Sequence, residues 1–225
     1  MPPTERGGPT TAVAKKPKPR IPAGIGRGQK VGRLAVGWIL RWYCRLEVRG
    51  IEHIPRSGPV ILAANHRSML DVPLMGISSP RPMVFMAKKE LFGDPVRAWL
   101  WDWLGGFPVR RDISDLRALD IGLAILEHGN CLTLYPEGTR SKSARMLPFL
   151  KGAAWLALRT GATIVPCGIT GTERRRGIQR LTRMRVRMTF GAALAVELES
   201  DPRVRRERSR AITENLLESV NALMA

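Results

Sequence analysis

The apolar run Pro59-Val60-Ile61-Leu62-Ala63-Ala64 passes directly into Asn65-His66-Arg67-Ser68-Met69-Leu70-Asp71. The first six residues read as a short buried strand. The polar residues after them form a loop at a strand end, which is where α/β folds build their sites. Asp71 follows His66 by five positions. On one continuous helix that spacing would put the two side chains on different faces. They meet only if His66 stays in the loop and Asp71 opens the helix that follows. So placed, the carboxylate takes the Nδ1 proton of His66 and leaves Nε2 free to accept another. The run holds no protein nucleophile beside this pair, so the hydroxyl to be activated would belong to a substrate. A plainer reading fits the same residues. Asp71 ahead of Val72-Pro73 suits an N-cap, Ser68 with Asp71 resembles a capping pair, and His66 would then be a hydrogen-bonded structural residue.

Working outward, apolar strands alternate with helical periodicity. Strands are expected over residues 46–50, 59–64, 82–87, 105–111, 131–135 and 162–166, with an edge strand over 184–190. Helices are expected over 72–77, 96–104, 113–128 ending at Gly129, 151–159 stopping near Gly161, and 204–224. The alternation predicts an α/β fold, and 225 residues suffice for a single domain with a substantial core. Residues 1–30 are rich in Pro, Gly, Lys and Thr and poor in large apolar side chains, which predicts a disordered basic tail. Residues 31–46 mix Trp38, Ile39, Leu40, Trp42 and Leu46 with Arg33, Arg41 and Arg45. That stretch is too short and too charged to span a bilayer. It follows a long polar tail and lacks a small-residue cleavage site, which argues against a signal peptide. Two readings remain for it: an amphipathic helix in a membrane interface, or one packed on the core. Trp99, Trp101 and Trp103 pose the same choice between interface or acyl-chain contact and a core cluster.

Lys and Arg number 37 against 19 Asp and Glu, a net charge of +18. That balance calls for an anionic partner: nucleic acid, an anionic membrane surface or a phosphorylated substrate. Cys44, Cys131 and Cys167 are an odd number without paired spacing, which fits reduced thiols in a reducing compartment. With three His and no Cys/His cluster, the sequence gives a metal site no support.

Several expected strands end in charge: Lys88-Lys89, Arg110-Arg111, and Pro136-Glu137-Gly138-Thr139-Arg140-Ser141. Guanidiniums offer phosphate a planar fork of donors. Their ordered recurrence after strands, beside the His66–Asp71 pair, looks like a site that binds a phosphate and deprotonates a neighbouring group.

At this point the chain resembles the glycerolipid acyltransferases, specifically the 1-acyl-sn-glycerol-3-phosphate (lysophosphatidic acid) acyltransferases. The stretch NHRSMLD is similar to the family's Asn-His-x4-Asp block, AKKELF to its Lys-x-Glu-Leu segment, and GGFPVRR to the block ending in Arg. YPEGTRS matches its Glu-Gly-Thr-Arg block and IVPCGITG the Val-Pro-containing one. The order and spacing agree over roughly residues 48–171.

The resemblance implies one domain over residues 47–225 with a mixed, largely parallel central sheet flanked by helices, preceded by an interfacial helix over 31–46. It implies His66 as general base with Asp71 orienting and charging it. Lys88, Arg111 and Arg140 would hold the substrate phosphate. Glu137 would fix the glycerol moiety or organise the loop, Gly138 would allow close backbone approach, and Thr139 would bind substrate with them. Val165 and Pro166 would line the acyl end. The block ending in Arg often carries an acid before that Arg, where this chain has Arg110; alignment of the Gly and Val favours Arg111 as the ligand.

The expected reaction transfers a fatty acyl group from a thioester to the free hydroxyl of lysophosphatidic acid, giving phosphatidic acid for phospholipid synthesis. No cofactor or metal is expected. Acyl-CoA or acyl-carrier protein is the donor substrate, and the partners are lysophosphatidic acid and an anionic membrane surface. The expected location is peripheral or monotopic, on the cytoplasmic face of the cell membrane. A different acceptor, such as another lysophospholipid or a lyso-aminolipid, would use the same phosphate ligands. A nucleic-acid-binding protein would explain the charge but not NHRSMLD or YPEGTRS, and no nucleic acid is expected.

Overall fold

The computed structural model describes residues 27–109, 116–141, 145–173 and 183–225. In chain order the elements are α1 (Arg27–Tyr43), β1 (Glu47–Arg49), β2 (Val60–Ala64), α2 (Asp71–Ser78), β3 (Met83–Lys88), α3 (Pro95–Trp103) and β4 (Gly106–Val109). There follow α4 (Leu116–Glu127), β5 (Cys131–Leu134), α5 (Gly152–Thr160), β6 (Thr163–Thr170), β7 (Arg187–Phe190) and α6 (Pro202–Met224). Among the described residues the strands form one sheet in the order β1-β7-β6-β2-β5-β3-β4. Every pairing is parallel except that of β6 with β7. This is the mixed, largely parallel sheet that the resemblance implied.

The burial of β2 shows why its sequence is unbroken by polar residues. All five of its side chains are buried. It lies in the middle of the sheet with helices on both faces, so no alternation with water is available. On one face Leu62 and Ala64 pack with α2 residues Leu74, Met75 and Ile77, and with Leu40 and Tyr43 of α1 and Trp101 of α3. On the other, Ile61 and Ala63 pack with Ile125 of α4, Leu156 of α5, and Leu216 and Val220 of α6. The glycine expected to stop the helix after Arg159 does so: Gly161 adopts φ 66° and its N–H reaches the Ala157 carbonyl.

Several expectations change. Helix α1 begins at Arg27, so residues 27–30 are helical; residues 1–26 of the expected tail lie outside the described residues. Pro/Gly composition marks a window but does not locate the residue where a helix starts. The last strand is not an edge, because β7 lies between β1 and β6 and the three-residue β1 takes the edge. β6 does not stop at Pro166 but runs to Thr170; its pairing with β7 begins only at Cys167, so the missing proline N–H falls ahead of that ladder. β3 extends one residue, to Lys88.

The two aromatic stretches divide between their readings. Trp101 meets Phe85 edge-to-face at 6.2 Å in the core, while Trp99 is 63% exposed. On α1, Leu40 and Tyr43 pack inward and Trp38, Ile39 and Trp42 face outward. Arg41 ties α1 to α2 by donating from Nη2 to the Ile77 carbonyl at 2.7 Å. No helix among the described residues is long and apolar enough to cross a membrane.

Candidate active site

The site forms where β2 and β5, adjacent and parallel, run out of the sheet. Ala63 is paired with Leu134. Extending that register sets Ala64-Asn65-His66 beside Tyr135-Pro136-Glu137, so the two motif loops are neighbours by construction of the sheet. The His66 N–H donates to Glu137 Oε1 at 2.7 Å, and the Leu147 N–H donates to Oε2 at 2.9 Å. The Ser141 N–H returns to the His66 carbonyl at 2.8 Å. Asn65 clasps the other neighbour: its Nδ2 donates to the Ile169 carbonyl at 2.8 Å and its Oδ1 accepts the Ile169 N–H at 2.7 Å. The amide side chain thereby continues the β2–β6 ladder beyond the strand. Asn65 opens the motif, but the sequence reading gave it no role.

His66 and Asp71 meet as the five-residue spacing required. Nδ1 and Oδ2 lie 2.8 Å apart, with the two side chains 4% and 0% exposed. Oδ2 also accepts the N–H groups of Arg67 and Ser68, each at 2.8 Å. Asp71 is the first residue of α2, and the capping position before it is Leu70, whose side chain caps nothing. Asp71 is therefore not the N-cap itself, but the capping pair with Ser68 forms: the Ser68 N–H donates to Asp71 Oδ2 and Ser68 Oγ accepts the Leu70 N–H at 3.2 Å. Asp71 is a first-turn carboxylate, favoured by the helix dipole, that holds the preceding loop around itself. Since Oδ2 is already an acceptor to two backbone donors, the hydrogen bond from His66 places the proton on Nδ1. Nε2 is then the acceptor. Asp71 Oδ1 is buried and has no hydrogen-bond partner among the described residues.

Tyr135 was not singled out by the sequence reading. Its ring stacks on the His66 imidazole with centroids 4.1 Å apart and planes 24° from parallel. Burial, and then the negative charge of Asp71, pushes the phenol well above the ordinary tyrosine range. Burial, and then Asp71, does the same to the Cys167 thiol. Also unforeseen is the ion pair of Arg67 with Glu173 at 2.6 Å, which joins the His66 loop to the segment after β6.

The other expected residues are placed unequally. Glu137 is 5% exposed with both oxygens bonded to backbone, the arrangement of a loop organiser. Gly138 has φ 69°, and a Cβ there would lie 2.8 Å from Leu150 Cδ1. Gly138, Thr139 and Arg140 are exposed. Lys88 is exposed at the end of β3, 3.2 Å from Glu90. Arg111, and Arg110 before it, lie outside the described residues, as do residues 174–182 of the Arg-rich segment. Val165 is wholly buried inside β6 and Pro166 is buried beside it. Among the described residues no three His, Cys, Asp or Glu side chains gather where they could hold a metal ion.

The sequence model of the Acyltransferase family matches residues 45–170, which span every element just described from β1 to β6. The chain belongs to this acyltransferase family. A chloroplastic 1-acyl-sn-glycerol-3-phosphate acyltransferase of Brassica napus is 32% identical over 133 residues, covering 58% of this chain and 38% of that protein. The human beta form of 1-acyl-sn-glycerol-3-phosphate acyltransferase is 34% identical over 143 residues, covering 58% of this chain and 50% of that one. The coconut protein of the same name is 32% identical over 162 residues and 70% of this chain, again spanning half of its own length (50%). This chain thus spans half or less of the length of these relatives. Among solved structures, the 1-acyl-sn-glycerophosphate (LPA) acyltransferase PlsC of Thermotoga maritima superposes with a TM-score of 0.63 at 26% identity. That match covers 84% of this chain and 78% of the Thermotoga one.

Proposed function

We propose that this acyltransferase transfers a fatty acyl group from an acyl thioester to the free hydroxyl of 1-acyl-glycerol-3-phosphate, giving phosphatidic acid. The observation that carries the reading is the buried His66 Nδ1–Asp71 Oδ2 contact of 2.8 Å at the end of the central strand. It is a base poised with Nε2 as acceptor in a chain whose relatives are named for this reaction. Nε2 takes the hydroxyl proton as the oxygen attacks the thioester carbonyl carbon. The tetrahedral intermediate collapses, the C–S bond breaks, and the imidazolium returns its proton to the departing thiolate. Asp71 keeps the tautomer and offsets the imidazolium charge. No acyl-enzyme forms and no metal enters the cycle.

Lys88, Arg111 and Arg140 are assigned to the acceptor phosphate, with Thr139 beside them. Glu137 is assigned to holding the His66 loop. Acyl-CoA or acyl-carrier protein is the donor. Docking is assigned to the outward side of α1, where Trp38, Ile39 and Trp42 are 67%, 45% and 59% exposed. The Arg183 guanidinium covers the Trp42 ring at 4.2 Å. Indole and guanidinium together suit the headgroup region of an anionic leaflet on the cytoplasmic side.

The test is acyl transfer by the purified chain from acyl-CoA and from acyl-carrier protein to a panel of lyso-lipids, in vesicles containing phosphatidylglycerol. Phosphatidic acid formed from lysophosphatidic acid, and abolished in His66→Ala, is the expected result. Faster turnover of a lysophospholipid with a larger headgroup would move the acceptor assignment and leave the chemistry. Binding that survives high salt in part and is weakened by Trp38→Ala with Trp42→Ala is expected, because salt does not screen the apolar share.

A further inference from the structure

Tyr135 touches the general base without entering the chemistry proposed above. It stands one residue past the end of β5 and packs against the core on the same sheet face as Ala64 and Cys167. From there its ring passes under His66. The residue is half-buried, yet its hydroxyl is fully buried and finds no hydrogen-bond partner among the described residues. The residue is therefore placed by its ring, which lies flat on the imidazole with centroids 4.1 Å apart and planes 24° from parallel.

The Nδ1–Oδ2 hydrogen bond fixes His66 at one atom. An imidazole held at one atom can still swing about that contact, since χ2 of histidine has a broad profile. Any swing sweeps Nε2, on the far side of the ring, through the widest arc. A flat neighbour at stacking distance removes that freedom. One hydrogen bond and one plane together define where the Nε2 lone pair points. We propose that Tyr135 is a positioning residue whose ring sets the plane of His66, so that Nε2 faces the acceptor hydroxyl. The proposal rests on the reading of His66 as the base, and it assigns the function to the ring and not to the phenol hydroxyl.

The experiment compares Tyr135→Phe, Tyr135→Leu and Tyr135→Met in the full chain, each also in the His66→Ala background. Two readouts are taken: kcat and both KM values, and the NMR signals of the His66 ring protons. The chain has three His, so His66 is assigned by its loss in His66→Ala. In Tyr135→Phe we expect turnover close to wild type and the ring-current displacement of the His66 protons retained. In Tyr135→Leu, and in Tyr135→Met should the leucine variant not fold, we expect kcat to fall about tenfold or more with both KM values nearly unchanged. The ring-current displacement should be lost in both. No further loss is expected when either change is added to His66→Ala.

A Tyr135→Leu effect of equal size with and without His66 would overturn the proposal, as a purely structural residue behaves that way. Tyr135→Phe as damaged as Tyr135→Leu would overturn it too, by moving the role to the hydroxyl. A wild-type chain that shows the ring-current signature but transfers no acyl group would instead overturn the proposed function, and the positioning role with it. Acyl transfer by wild type with the signature absent would overturn the positioning role alone.

Discussion

The polar groups at the C-terminal end of the sheet fall into two regions built differently. Around the ends of β2 and β5, His66, Asp71 and Glu137 are 3%, 0% and 5% exposed, and backbone donors are spent on both carboxylates. At the end of β3 and the tip of the β5 loop, Lys88, Thr139 and Arg140 stand in water. The first region has its geometry set before any ligand arrives, which is where catalysis gains from preorganised dipoles. The second keeps its cations solvated. The exposed Lys88–Glu90 pair is worth little, so exchanging Glu90 for a phosphate costs little. In this division the chemistry is assigned to the buried, hydrogen-bonded region and ligand capture to the exposed one. Substitutions in the first should therefore change turnover or stability, and in the second KM.

The largest effect is expected at the buried pair. His66→Ala should lower kcat by roughly 10²–10⁴, the usual weight of a general base. Asp71→Asn should be nearly as severe, because the amide presents a donor or a weaker acceptor where Oδ2 now holds three N–H groups. The His66 variant should keep its circular dichroism spectrum. Near-full activity in a folded His66→Ala protein would remove the buried region from the chemistry.

Next in size is Glu137→Gln. One carboxylate oxygen accepts the His66 N–H and the other the Leu147 N–H. An amide satisfies one and turns an NH2 toward the other, leaving buried donors face to face. The expected cost is about 2–3 kcal/mol of stability, read as a lower urea midpoint, together with reduced kcat. A raised KM for the acceptor at unchanged stability would instead make Glu137 a substrate ligand and blur the two regions into one.

This difference between the regions also marks what the sequence made legible. The His66–Asp71 contact followed from a spacing and a strand end, both of which are local, and the structure bears it out. The α/β class followed from the alternation of strands and helices, and the mixed, largely parallel sheet from the family resemblance. Tyr135 escaped because a stack between residues just beyond the ends of two different strands depends on sheet order, and no spacing within one segment encodes that order. Asn65 escaped for the same reason, since its partner Ile169 is 104 residues away. The place of β7 was misjudged because its pairing with β1, itself an expected strand, joins segments from opposite ends of the chain, and no local pattern records that pairing.

In the exposed region, Arg140→Ala should raise the acceptor KM about tenfold, roughly 1.4 kcal/mol, and leave the donor KM and the melting temperature nearly unchanged. Lys88→Ala should act in the same direction and more weakly, a point charge offering phosphate less than a fork. Both effects should shrink in high salt, as expected of charges in water. An equal rise in the KM of both substrates would show that these side chains support the fold or the donor.

The smallest effect on turnover is expected at the joint between the regions. Gly138 sits between buried Glu137 and exposed Arg140 with φ 69°. Alanine tolerates that left-handed conformation at a cost of about 1–2 kcal/mol. The added Cβ would meet the end of the Leu150 side chain at 2.8 Å, and Leu150 is 62% exposed, so it can rotate away. Strain at the backbone therefore dominates, and Gly138→Ala should lower the melting temperature by only about 2–4 °C for each kcal/mol in a chain of this size. If the backbone relieves the strain, Arg140 is displaced while the two hydrogen bonds to Glu137 hold the His66 loop. The acceptor KM should then rise with kcat nearly constant. A fall in kcat larger than the rise in KM would mean that the loop tip and the buried pair respond as one body, and that the placement of the cations is not separable from the geometry of the base.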